Sequence, residues 1–224
     1  TALLDRVLHD PQVMDRLLQD LSINVTSMFR DPPFFAALRA TVVPTLRTYP
    51  FLRVWVAGCS TGEETYALAI LLREVGLLAR TRIYATDINE QVLAVASAGV
   101  YPLAKMREYT ENYLAAGGSR AFSDYYTTGY DAARFDPALR ENVIFAQHNL
   151  VSDRSFNEFH LIICRNVMIY FDRQLQNHVH RLFLDSLTPG GVLGLGLKES
   201  LRHTDAGEAY DPLDEDLRLY RKRR

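Results

Sequence analysis

The chain has 224 residues, 48% of them hydrophobic, which is enough to bury the core of one large domain without disulfide or metal staples. Its net charge is −2, with 25 basic residues against 27 acidic ones, so no global field marks it for nucleic acid or an anionic membrane. No apolar run approaches the roughly 20 residues of a membrane span and the first residues lack a leader pattern, which together predict a cytoplasmic protein without membrane insertion.

In chain order, Pro11 to Asp20 has helical periodicity and leads into the polar stretch Ser22 to Arg30. A second helix is predicted from Asp31-Pro32-Pro33, with Asp31 as its cap and proline in its first turn, through Phe34, Phe35, Leu38 and Val42. A helical front over residues 1–48 is therefore expected ahead of a main domain over 49–224. From Arg53 onward apolar runs alternate with helical patterns: strand Val54–Ala57, helix Thr65–Val75, strand Arg82–Thr86, helix Glu90–Ala98. Strands Val143–Gln147 and Leu161–Cys164 follow, then helix Arg173–Leu187 and, after Pro189-Gly190-Gly191, strand Val192–Leu197. A last strand, Leu217–Arg221, closes the series after a polar loop over Leu201–Asp216. Apolar strands separated by helices predict an α/β class, a doubly wound and mostly parallel sheet covered on both faces.

The interval from Tyr101 to Asn142 breaks this rhythm, being long, rich in tyrosine and interrupted by Gly117-Gly118. A functional, substrate-side excursion and an extra helix with an ordered surface loop both fit it. The cysteines, Cys59 and Cys164, each end a predicted buried strand and read as reduced thiols, and no CxxC or HExxH spacing offers a metal site.

In open α/β sheets ligands lie beyond the carboxyl ends of the strands, so the strand exits carry the functional reading. The first exit is AGCSTGEE, Ala57 to Glu64, where Gly58 and Gly62 allow a sharp turn and a close backbone approach. Its spacing is neither the dinucleotide fingerprint nor a phosphate loop, and Glu63 and Glu64 would repel phosphate. Asp87, ending the second strand, is placed to accept both hydroxyls of a ribose, or else to cap the next helix. Asn149 and Leu150 offer an amide and an apolar face to an adenine ring, and Arg165, Asn166 and Tyr170 follow the fourth exit. A nucleoside that carries a sulfonium and no phosphate, S-adenosylmethionine, suits this set.

The segments NVTSMFRDPPFF, VWVAGCSTGEETYALAI, YATDIN, HNL, IICRNVMIYFD and LTPGG, in this order, resemble the CheR family of chemotaxis receptor methyltransferases from about Asn24 to Glu199. The resemblance implies a Rossmann-like class I methyltransferase domain behind a short, truncated helical segment. It implies S-adenosylmethionine as methyl donor, S-adenosylhomocysteine as product, and glutamate side chains on chemoreceptor helices as acceptors. By similarity, Asn24, Thr26, Arg30, Glu63, Asp87, Asn149, Leu150, Arg165 and Asn166 match the family's cofactor-contacting positions, and Arg30 and Tyr170 match those assigned to catalysis. Gly58 joins the cofactor set through its close approach. Receptor-tethering members carry a glycine-rich hairpin insert that Ala115–Phe135 does not match, which argues against tail tethering. The runners-up are a methyltransferase with a different acceptor and a donor-binding signalling module without turnover.

Overall fold

The computed structural model describes residues 26–202 and 204–224, so the helix expected over Pro11–Asp20 and the candidate Asn24 lie outside the described residues. Strands β1 (Leu52–Ala57), β2 (Thr81–Asp87), β6 (Val143–Gln147), β7 (Phe159–Cys164), β8 (Leu187–Leu195), β9 (Tyr210–Asp214) and β10 (Leu219–Lys222) form one sheet in the order β6-β2-β1-β7-β8-β10-β9. The first five in that order are mutually parallel, and β10 runs antiparallel to β8 and β9. Strand order reverses at β1, since the chain leaves it first toward β2 and β6 and later returns to β7 on its other side. The crevice between the carboxyl ends of β1 and β7 is thus the place this topology reserves for a ligand. The expected α/β, doubly wound, mostly parallel class is the observed one.

Buried parallel strands need apolar side chains on both faces, and β1 supplies them by alternation. Val54 and Val56 enter one core with Leu161 and Ile163 of β7, while Trp55 and Ala57 enter the other with Ile162 and Cys164. The first core also takes in Phe34, Phe35, Leu38, Val42 and Leu46 of the helical front, which therefore shares the interior of the sheet domain. That front is α1 (Pro32–Ala37), a π-helical turn (Leu38–Val42) and α2 (Val43–Leu46), where one continuous helix was expected. Pro44 has no N–H to give to the α-helical ladder, and Val43 N bonds back five residues to the Leu38 carbonyl. Asp31 begins α1 in a left-handed conformation without a side-chain cap bond, because its carboxylate is held elsewhere.

Helices α3 (Glu63–Glu74), α4 (Glu90–Ala98) and α6 (Arg173–Ser186) fall where expected to within two residues. Asn89, not Asp87, caps α4, its Oδ1 accepting from Gln91 N. The interval 101–142 holds α5 (Met106–Ala115) and a second, antiparallel sheet of β3 (Val100–Pro102), β5 (Ala132–Phe135) and β4 (Tyr126–Gly129). Strand β9, inside the expected polar loop, is the other element the sequence reading did not separate. Both cysteines are free and buried. No helix among the described residues is long and apolar enough to cross a membrane.

His180 on α6 is 1% exposed, and burial lowers its pKa from 6.5 to about 4. Its native form is therefore the neutral ring, while the unfolded chain takes up a proton below about pH 6.5. Stability is full above that pH and falls as pH drops toward 4, by roughly 2 kcal/mol between pH 7 and 4.5. Urea unfolding at the two pH values should show this loss in the native chain and a smaller one in His180→Met. Equal pH slopes for the two chains would exclude His180 as the source.

Candidate active site

The first exit is knitted to the second by backbone bonds. Gly58 N and Cys59 N both donate to the Thr86 carbonyl, at 2.8 and 2.9 Å. A Cβ on Gly58, whose φ is +72°, would stand 2.4 Å from Val167 Cγ2, so this position admits only glycine. Ser60, also left-handed, donates its N–H to Asp87 Oδ2 at 2.8 Å, and Asn89 N donates to Oδ1 at 3.0 Å. Each carboxylate oxygen keeps a further lone pair for a ligand hydroxyl. His148 N donates to the Asp87 carbonyl at 3.1 Å, which draws the Asn149-Leu150 turn to the same strand end. There Asn149 Oδ1 accepts from Val151 N at 2.9 Å, which leaves that oxygen a second lone pair and Nδ2 its two N–H groups for an adenine edge. Leu150 is buried in the second core, the cluster that also holds Trp55 and Met168.

Glu63 and Glu64 are neighbours on α3 and point to different tasks. Glu63 is 6% exposed and accepts the hydroxyls of Thr61 (2.6 Å) and, from α5, Tyr109 (3.3 Å). Burial raises its pKa against those hydrogen bonds, so a cationic ligand group would find a carboxylate with unmet demand for positive charge. Glu64 instead turns to Arg165, whose side chain is 1% exposed: Nη1 meets Glu64 Oε2 at 2.7 Å and Nη2 meets Asp31 Oδ2 at 2.6 Å. The guanidinium also lies over the Phe34 ring, 4.3 Å from its centroid. Arg165 is thus a clamp between the β7 exit, α3 and the chain around Arg30.

That clamp, with the core on the other side, fixes Arg30. Phe29 and Asp31 both have positive φ, a costly conformation for residues other than glycine, and each is pinned. Phe29 is fully buried edge-on to Phe35 and Tyr113, at 5.1 and 5.3 Å, and Asp31 is tied to Arg165. Asn112 of α5 donates to the Met28 carbonyl at 3.1 Å, closing the turn from the insert side. Arg30 is partly exposed and near enough to Glu64 to lower its carboxyl pKa, against the larger upward push of burial. Thr26 is half-buried. Asn166 is left-handed at φ +61°, and Tyr170 stands 61% exposed at the end of the turn Met168–Tyr170, six residues beyond the end of β7.

The family model described as "CheR methyltransferase, SAM binding domain" matches residues 24–212, most of the chain. The chain belongs to the CheR methyltransferase family. The Pseudomonas putida protein Cher3, which carries the name of a methyltransferase, is 53% identical over 222 residues, 99% of this chain and 81% of that one. The chemotaxis protein methyltransferase of Listeria monocytogenes is 35% identical over 198 residues, 86% of this chain and 71% of that one. A 104.1 kDa protein of Rhodobacter capsulatus is 34% identical over 209 residues, 90% of this chain and 21% of that much longer one.

The cofactor of this CheR domain is S-adenosylmethionine, and the donor set fits it. Acids at Glu63 and Asp87 and an amide at Asn149 suit an ammonium, a ribose and an adenine, and the first turn presents no lysine or arginine for phosphate. The structure brings Gly58, Asp87, Asn149 and Leu150 to adjoining strand ends, with Glu63 opening α3, and ties Arg165 to the turn of Arg30. Asp31, Glu64, Tyr109 and Asn112 are supports that the sequence reading missed. For Glu64 a signal existed, since adjacent acids on a helix cannot both face one ligand.

Proposed function

We propose that the chain transfers a methyl group from S-adenosylmethionine to glutamate side-chain carboxylates of a protein substrate, a chemoreceptor or related signalling protein. The observation that carries this reading is the braced arginine: Arg30 sits between two left-handed residues, one of them tied to Arg165 at the exit of β7. The names of the Listeria relative and its like support the chemotaxis setting. When bound, the cofactor supplies an electrophilic methyl on a sulfonium. The protein's task is then to bring an anionic oxygen in line with that methyl and keep water away, for a glutamate of pKa about 4.3 is ionised at neutral pH and needs no general base. In this reading Arg30 holds the carboxylate of the acceptor or of the cofactor's amino-acid end, and the Tyr170 hydroxyl meets the acceptor at the rim. Asp87 takes the ribose, Glu63 the ammonium, and Asn149 with Leu150 the adenine; Asn24, Thr26, Gly58, Arg165 and Asn166 complete the pocket, Arg165 through its main chain.

The test is methyl transfer from labelled donor into candidate protein substrates, followed by mild alkali, which releases methanol from carboxyl esters and not from methylated amines. Arg30→Ala should lower transfer at least tenfold with the fold retained by circular dichroism. Alkali-stable label would refute carboxyl methylation, and unchanged turnover in Arg30→Ala would remove that residue from the reaction.

A further inference from the structure

Glu199 lies three residues beyond Gly196, just past β8, and is 5% exposed. Its Oε1 accepts from Val167 N (2.9 Å) and Met168 N (2.8 Å), and its Oε2 from Asn166 N (3.0 Å) and Gly196 N (2.7 Å). A carboxylate offers about four lone-pair sites, so backbone N–H groups fill this one and leave nothing for a ligand. Three consecutive amides converging on one point form an anion-binding nest of the kind that elsewhere receives phosphate. Here the chain occupies its own nest.

Resting on the methyl-transfer reading above, we propose that Glu199 is a positioning residue for that reaction: it gathers the amides of residues 166–168 and 196 so that the loop after β7 presents Asn166 to the nucleoside and Tyr170 to the methyl acceptor. Four observations lead there. The bonds join the carboxyl ends of two neighbouring strands, β7 and β8, beside the switch point of the sheet. They brace Asn166 at φ +61°, a left-handed conformation that asparagine adopts more readily than most residues. A Cβ on Gly196 would come within 2.7 Å of Glu199 Oε2 and 2.8 Å of Asn166 N, so the close approach of the two exits depends on that glycine. Gln176 fixes the far side of the loop, its Nε2 donating to the Met168 and Phe171 carbonyls at 3.1 and 3.0 Å. Exposed Tyr170 is thereby held between two anchors, Glu199 and Gln176.

Glu199→Gln keeps the volume but turns one acceptor oxygen into a donor facing N–H groups. We expect it to speed hydrogen exchange of amides 166–168 while β1 keeps its protection, to weaken S-adenosylhomocysteine binding at least tenfold by calorimetry, and to lower kcat at least tenfold. Gly196→Ala, which spreads the nest without removing the charge, should give the same pattern more mildly and serves where Glu199→Gln folds poorly. Val179→Ala, a core change on α6 in the same half of the molecule, should match the loss of Tm but keep binding and kcat. Wild-type binding and turnover in Glu199→Gln, or equal losses in Val179→Ala at the same Tm, would overturn the inference and leave the methyl-transfer reading standing. A wild-type chain that binds no S-adenosylhomocysteine would instead overturn that reading.

Discussion

Arg165→Met should cost roughly 3–5 kcal/mol of stability and nearly all methyl transfer, although the Arg165 side chain is 1% exposed and engaged with Glu64 and Asp31. Breaking a buried ion pair from one side leaves the other charge desolvated and unpaired, which is the costly half of such a change. Here one guanidinium with a 1% exposed side chain serves Glu64 at 2.7 Å and Asp31 at 2.6 Å, and methionine can replace its packing on Phe34 but neither bond. The charge left behind predicts the pH dependence. Burial is the largest influence on Glu64 and already raises its pKa; without Arg165 the carboxyl rises further and the folded state comes to hold a proton that the unfolded state, near its ordinary 4.5, releases. The folded form then binds more protons, so part of the lost stability should return as pH falls from 7 toward 5. Glu64→Gln in the same chain should restore a similar part at pH 7 but not transfer, because Asp31 stays untied and the turn around Arg30 stays loose. Urea unfolding at pH 7 and 5, with a methyl-transfer assay, measures both. A variant as stable as the native chain at pH 7, or one that still transfers methyl at the native rate, would show that the clamp is not what orders Arg30.

How far the sequence announces this arrangement depends on where each residue's partner lies. Strand β1 and the turn after it are legible because both faces of a central parallel strand are buried, giving a continuous apolar run that ends in glycines. Strand β9, Tyr-Asp-Pro-Leu-Asp, reads as loop: it is an edge strand with β10 as its partner, which lets it carry acids and Pro212. The small sheet of β3, β4 and β5 hides for a similar reason, since each strand is only three or four residues long and β3 finds β5 across the whole of α5. In the site, Asp31 reads as a helix cap because capping is local, while the Arg165 that claims its carboxylate stands 134 residues away. Glu199 shows no local sign of its task for the same reason; the amides it gathers after β7 lie 31 to 33 residues earlier.

Asp87→Ala should raise the dissociation constant for S-adenosylhomocysteine at least hundredfold. The side chain has two duties at one place. Toward the protein it anchors the left-handed Ser60 of the first turn and the start of α4, at 2.8 and 3.0 Å; toward the cofactor, in the reading proposed above, its remaining lone pairs accept the ribose hydroxyls. Hydrogen bonds to a charged group contribute about 1.5–3 kcal/mol each, so two ribose hydroxyls account for about 3 kcal/mol or more, and 1.4 kcal/mol is a factor of ten. Asp87→Asn weakens both duties in part: one oxygen remains an acceptor, while the new amide must face either Ser60 N or Asn89 N, so an intermediate loss is expected. A 2′-deoxy analogue completes the cycle. It should bind the native chain more weakly than S-adenosylhomocysteine does, yet bind Asp87→Ala as well as the parent ligand, because the acceptor for that hydroxyl is already gone. Calorimetry on the four combinations gives the coupling directly. Additive losses would mean that Asp87 acts through the first turn alone and that the ribose finds its acceptors elsewhere.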